Sequence, residues 1–162
     1  MSAESQTLSL DNTAAYREIL LGGSTAGVLD ITAAFVNSGL RGRSPMWVLQ
    51  SVASGLLGAD SYRGGLRTAA LGAVLHFSIA TLACAVYYAV SRKLEFLIQH
   101  TVICGLLYGV AVYSFMYMFV LPLTFHRSFL SPLSAVVTAV AIHMLCVGLP
   151  ISLVIGHYSE RK

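Results

Sequence analysis

The chain has 162 residues, of which 56% are hydrophobic and only 10% are charged, with a mean hydropathy of +0.74. Soluble domains carry about 25% charged residues, so this composition leaves too few polar groups to cover a water-exposed surface and excludes an ordinary soluble protein. The formal net charge of +3 is spread over the loops without a long basic run, which gives no support to nucleic-acid binding.

Four apolar segments are long enough to cross a bilayer, whose hydrocarbon core requires roughly 20 residues of helix. They cover about residues 17–37, 66–90, 100–121 and 132–157. Because every backbone polar group in lipid must be satisfied within its own segment, each segment is predicted to be a helix. We therefore expect one membrane domain over residues 1–162, an all-α integral membrane four-helix bundle with both termini on the same side.

The stretch between the first two spans, RSPMWVLQSVASGLLGADSYRGG, has a different pattern. Ser44-Pro45 is typical of a helix start, with an N-cap serine followed by proline at the first helical position. Apolar residues then recur at helical spacing, but the run is too short to cross a membrane. We predict an amphipathic helix over about residues 45–58 that lies at the membrane surface, with Trp47 as the interface anchor; a re-entrant helix is the alternative.

The distribution of basic residues does not predict which end of the bundle faces the cytoplasm. Five lie on the side of the termini and five on the side of the connector between the first two spans, so the positive-inside rule favours neither orientation. The first set is Arg17, Arg92, Lys93, Arg161 and Lys162, and the second is Arg41, Arg43, Arg63, Arg67 and Arg127.

Three stretches in the middle of the chain resemble the YagU-like family of small bacterial inner-membrane proteins, which have no established biochemical activity. They are HFSIATLACAVYYAVSRKLEF (76–96), CGLLYGVAVY (104–113) and LPLTF (121–125). The first helix and the region after it depart from that family's pattern. The resemblance implies a bacterial inner membrane with cytoplasmic termini, and it brings no catalytic residues with it.

Three ionisable residues lie inside the predicted spans: Asp30, His76 and His143. Such groups are costly in lipid, about 2.5–3.5 kcal/mol for a mid-helix aspartate, and they usually face the bundle interior. They lie about seven, ten and eleven residues from the connector side, which at 1.5 Å per residue places them in a layer about 6 Å thick.

Small residues mark the faces that are predicted to pack against other helices, because they let backbones approach closely. The glycines concerned are Gly23, Gly27, Gly72, Gly105 and Gly109. The first two share a face with Asp30, the third shares one with His76, and the last two form a GxxxG-type pair. Asp30 and His76 are therefore expected to face neighbouring helices rather than lipid.

The layer has several interpretations. Asp30 can pair with His76 or with a backbone group and so fix helix packing, or the three residues can relay protons or ions. His76 and His143 can also serve as the axial ligands of a haem, and a metal ion held by all three residues is a variant of this idea. The three cysteines, Cys84, Cys104 and Cys146, have no metal-binding spacing and are expected to act as small apolar residues.

The leading functional hypothesis is an oligomeric or accessory subunit of a larger membrane complex, whose partners are the lipid bilayer and either further copies of the chain or other membrane subunits. A small proton, ion or solute channel or transporter that uses the Asp/His layer is the first alternative. A bis-histidine haem or quinone redox protein is the second. No nucleophile–base pair or paired carboxylates stand out, so we expect no enzymatic activity, no bound metal and no cofactor.

Overall fold

The computed structural model describes residues 3–120 and 132–159 of the chain. All regular elements in these ranges are helical, as predicted. Four helices are long and apolar enough to cross a membrane, and we call them spans 1 to 4: Thr13–Gly39, Gly65–Ser91, Thr101–Met118 and Leu133–Ser159. They match the four predicted segments and fit a multi-pass membrane protein. The predicted end of the third segment at Leu121 lies outside the described residues.

Span 1 is part of a longer helix that begins well before the predicted membrane segment. The helices are α1 (Ala3–Gly39), α2 (Pro45–Leu57), α3 (Gly65–Ser91), α4 (Phe96–Gln99), α5 (Thr101–Phe115), α6 (Leu133–Ile142) and α7 (Leu149–Ser159). A 3₁₀ turn, Gly58–Arg63, joins α2 to α3. π-helical turns follow α5 at Met116–Val120 and join α6 to α7 at His143–Gly148.

Helix α2 begins and ends where the sequence predicted. The Ser44 hydroxyl accepts a hydrogen bond from the Trp47 backbone N–H at 3.2 Å, and Gly58 ends the helix with a φ of +60°, a conformation that favours glycine. The helix packs on the start of α3, where a side chain at Gly72 would collide with the Leu49 carbonyl oxygen. Helix α2 therefore covers the first turns of span 2.

Glycines let the backbones of spans 3 and 4 touch. A Cβ atom at Gly109 would lie 2.5 Å from the Met144 Cα, and one at Gly148 would collide with the backbones of Gly105 and Gly109. Spans 1 and 2 also approach closely, since a Cβ atom at Gly23 would lie 2.6 Å from the Thr81 Cα. Dispersion contacts of this kind are a main source of helix association in lipid.

The end of the bundle near the chain termini is the more tightly packed. We call it the terminal end, where the Arg17 guanidinium lies 5.6 Å from the Tyr158 ring centroid and the Arg92 guanidinium donates a hydrogen bond to the Ser159 hydroxyl. A buried cluster from spans 1, 2 and 4 fills the interior there, formed by Ala26, Cys84, Tyr87, Val147, Ile151 and Ile155.

The opposite end, which carries α2 and which we call the connector end, is more open. Among the described side chains, span 1 has no buried residue after Ile31, span 3 has none after Gly109 and span 4 has none before Val147. The tightly packed core therefore ends close to the layer that the sequence predicted around Asp30.

The π-helical turn in span 4 has a local cause. Pro150 has no backbone N–H and its ring crowds the carbonyl four residues earlier, which disturbs the regular helical hydrogen bonds. The turn His143–Gly148 lies directly before this proline. Such single turns often occur at functional sites, and this one begins with a residue of the predicted layer.

Replacing Gly109 with alanine tests the importance of backbone contact between spans 3 and 4. The added methyl group would collide with the His143 carbonyl oxygen, whereas alanine at Gly39 would meet nothing within 4 Å. We expect Gly109→Ala to lower the free energy of unfolding by roughly 1–3 kcal/mol and Gly39→Ala to leave it unchanged, as measured by denaturant titration in detergent. Equal stability of the two variants would contradict the packing described here.

Candidate functional site

Asp30 and His76 lie on the faces of spans 1 and 2 that point into the bundle. The residues three, four and seven places before Asp30 are Gly27, Ala26 and Gly23, and all three are buried. On α3, the residue four places before His76 and the one four places after it, Gly72 and Ala80, are buried as well. Because residues at these spacings share one helix face, both ionisable side chains face neighbouring helices.

His76 bonds to span 1 through the backbone rather than through Asp30. Its Nε2 atom lies 2.9 Å from the Gly27 carbonyl oxygen. A carbonyl oxygen only accepts hydrogen bonds, so Nε2 carries the proton and donates, and Nδ1 is the free nitrogen of the neutral ring. This bond joins spans 1 and 2 at a position three residues before Asp30.

Asp30 makes no hydrogen bond or ion pair with any residue that the structure describes. The direct pair between Asp30 and His76 that the packing interpretation allowed does not form. The carboxylate interacts electrostatically with the Cys146 thiol of span 4, and its side chain is only partly buried. Asp30 therefore lies at an inward position without the polar partner that a purely structural carboxylate requires.

His143 opens the π-helical turn of span 4 and packs against span 3. Its Nδ1 atom donates to the Ala139 carbonyl oxygen at 2.9 Å, which leaves Nε2 as the free ring nitrogen. The ring meets Tyr113 edge to face, with centroids 5.5 Å apart. Cys146, which interacts with Asp30, follows three residues later.

The layer thus receives side chains from all four spans. They are Asp30 from span 1, His76 from span 2, Tyr113 from span 3, and His143 and Cys146 from span 4, and each is partly exposed. Tyr113 and Cys146 were not singled out from the sequence. Tyrosine and cysteine are common in apolar helices, so only the ring contact of Tyr113 with His143 and the electrostatic interaction of Cys146 with Asp30 distinguish them.

A second carboxylate, Glu18, lies inside the bundle, and sequence reasoning missed it. Glu18 is only 2% exposed, although its place beside Arg17 suggested the edge of the membrane. It lies toward the terminal end and interacts electrostatically with Cys84. The bundle therefore carries ionisable groups at two depths, separated by the buried cluster.

Three hydroxyl groups inside the terminal half donate hydrogen bonds to backbone carbonyls. The Tyr108 hydroxyl donates to the Ala83 carbonyl oxygen at 2.7 Å, and the Tyr87 hydroxyl donates to that of Leu97 at 3.1 Å. The Ser152 hydroxyl donates to the Leu149 carbonyl oxygen of its own helix at 2.9 Å. The two tyrosines hold different helices together, and the apolar residues among these side chains separate the layer from the terminal end.

No group of three or more histidine, cysteine, aspartate or glutamate side chains within residues 3–120 and 132–159 is placed to hold a metal ion. The metal-binding variant that the sequence allowed for Asp30, His76 and His143 stays a prediction. The haem interpretation stays a prediction: each histidine keeps one free nitrogen, but both rings are held by backbone carbonyls of spans 1 and 4.

Comparisons of the chain with protein-family models, with curated proteins and with solved structures find no match.

The three cysteines provide a test of access to the layer. Cys146 is partly exposed, whereas Cys84 and Cys104 are 0% and 4% exposed in the core. We expect a membrane-impermeant thiol reagent to label Cys146 from the connector side of oriented proteoliposomes, and to leave the other two unmodified from either side. Peptide mass spectrometry reports each site.

Cys146→Ser is the matched control for that experiment and should remove the labelling. Modification of Cys84 or Cys104 at a similar rate, labelling of Cys146 from the terminal side, or no labelling from the connector side would contradict access through the connector end.

Proposed function

We propose that this membrane protein binds and moves a proton or a small cation, and that Asp30 is the binding group. The observation that carries the proposal is that Asp30 points into the bundle, at the edge of the tightly packed core, without a hydrogen-bond partner among the described residues. A carboxylate in a low-dielectric interior is costly unless it is paired or neutralised. A proton or a cation supplies that neutralisation.

The neighbours of Asp30 suit proton transfer. The free Nδ1 of His76 and the free Nε2 of His143 are the atoms at which the neutral rings accept a proton. An imidazole can both accept and donate a proton, so these two histidines and the carboxylate are the groups that we propose to carry the proton.

The connector end is the side from which we propose that the ion enters. The connector half of spans 1, 3 and 4 has no buried residues among those described, whereas apolar side chains such as Ile151 and Ile155 close the interior beyond the layer. Uptake therefore occurs from the connector end, and release to the other side requires the packed half to move. The π-helical turn His143–Gly148 is the interruption in span 4 at which such a movement can begin.

Flux measurements with an isosteric variant test this proposal. We expect wild-type protein in liposomes to conduct protons or small cations and Asp30→Asn to reduce the flux at least tenfold, because the amide keeps the shape but loses the charge. Asp60→Asn is the matched control, since Asp60 is 88% exposed in the connector and should leave the flux unchanged. Equal flux in wild type and Asp30→Asn, or no flux in either, would rule out the proposal.

The second proposal is that the protein works as an assembly of several copies. Spans 1 and 4 form an open groove of about 450 Å³ on the bundle surface, lined by Leu29, Thr32, Ala33, Val36, Asn37, Leu40 and Ile142. The Asn37 carboxamide makes no hydrogen bond that the structure records among the described residues, and an asparagine in a membrane helix can bond to its own copy across a symmetric interface. The proposed occupant of the groove is therefore span 1 of a second copy.

The mass of the protein in nanodiscs tests this association. We expect a dimer or a larger assembly for wild type and a shift toward monomer for Asn37→Val. Thr32→Val is the matched control, because the Thr32 hydroxyl already bonds to the Val28 carbonyl oxygen of its own helix and is not needed between copies. A wild-type monomer, or equal mass distributions for the two variants, would exclude this interface.

The location of the protein is also a proposal. The resemblance to the YagU-like family supports a bacterial inner membrane with cytoplasmic termini, which would place the connector end on the outer side of that membrane.

A further inference from the structure

The connector end carries a stack of three side chains around the single tryptophan of the chain. The Arg43 guanidinium carbon lies 4.4 Å from the centroid of the Trp47 ring. The Tyr62 ring stacks on Trp47 with centroids 5.7 Å apart and an interplanar angle of 27°. Arg43 precedes α2, Trp47 is in its first turn, and Tyr62 comes from the 3₁₀ turn that follows the helix, so the stack joins both ends of the connector.

The guanidinium of Arg43 keeps its hydrogen-bonding edge available. A stacked guanidinium uses one face against the ring, while its N–H groups point outward along its edge. Among the described residues the ion pair recorded in this region is that of Arg63 with Asp60, at 3.9 Å on the protein surface, and Arg43 has none. A planar guanidinium of this kind is suited to the two oxygens of a phosphate.

The charge and the apolar surface around the stack match a lipid leaflet. The connector and the first turn of span 2 together carry four arginines, Arg41, Arg43, Arg63 and Arg67, and one acidic residue, Asp60. Leu56 of the connector and Leu66 of span 2 are 67% and 76% exposed, and they can enter the acyl region. Tryptophan and tyrosine favour the headgroup depth of a bilayer, which brings the Arg43 guanidinium level with lipid phosphates.

We propose that Arg43, Trp47 and Tyr62 form a binding site for the phosphate of an anionic phospholipid in the leaflet at the connector end. The excess of positive charge selects anionic over zwitterionic lipids, and the aromatic pair fixes the depth and orientation of the guanidinium. This site is separate from the Asp30 layer and stands whether or not that layer moves protons.

The single tryptophan makes the proposal directly measurable. Full-length protein is reconstituted in phosphatidylcholine, and a small fraction of either brominated phosphatidylglycerol or brominated phosphatidylcholine is added. Bromine quenches tryptophan fluorescence only at short range, and Trp47 is the one tryptophan in the chain. We expect the anionic lipid to quench Trp47 at a lower mole fraction than the zwitterionic lipid, and salt to reduce the difference.

Variants identify the group responsible. Arg43→Gln should weaken the preference for phosphatidylglycerol about fivefold, the effect expected of one basic residue near an anionic surface, while Arg43→Lys should retain part of it. Arg92→Gln is the matched control, because Arg92 lies over the Tyr88 ring at the terminal end, and it should keep the full preference. Equal quenching by the two lipids in wild type, or an unchanged preference in Arg43→Gln, would overturn the proposal.

Discussion

Backbone contact between spans 3 and 4 sets the geometry of the rest of the bundle. Helices in lipid gain little from the hydrophobic effect, so their association depends on close packing and on hydrogen bonds between them. Gly105, Gly109 and Gly148 supply that packing, because a Cβ atom at Gly109 or Gly148 would collide with the opposite backbone and one at Gly105 would collide with the Ser152 side chain. Spans 3 and 4 approach each other closely toward the terminal half of the bundle, and the apolar core lies in that half.

The layer around Asp30 follows from where this packing ends. Beyond Gly109 on span 3 and before Val147 on span 4, the described side chains are no longer buried, so the interior opens and the side chains of the layer are partly exposed. One hydrogen bond, from His76 to the Gly27 carbonyl, holds spans 1 and 2 together at this depth. This bond does not involve the Asp30 carboxylate. The histidine therefore has a packing role, and the aspartate stays available for the ion-binding role that we propose.

Hydropathy predicted the four spans, because polar groups are costly in lipid. Helix-capping chemistry at Ser44-Pro45 predicted the start of α2, and the small residues around Asp30 predicted that it faces other helices. The partner of His76 was not predictable, since a backbone carbonyl is present at every position and leaves no sequence signal. The burial of Glu18 was missed for a related reason: a charged residue next to Arg17 is typical of a membrane edge. The π-helical turn in span 4 was not predicted either, although Pro150, to which we attribute it, is present in the sequence.

The central claim is that Asp30 is a binding group in contact with water at the connector end, and for the proton form of the proposal this means that Asp30 exchanges its proton there. Infrared spectroscopy of the protein in lipid, with ¹³C-labelled aspartate, observes this directly, because Asp30 can be told from Asp11 and Asp60 by comparison with Asp30→Asn. We expect a carboxylic acid band of Asp30 that appears as the pH is lowered and shifts at once in heavy water. A band that neither titrates nor exchanges, or no band that Asp30→Asn removes, would contradict it.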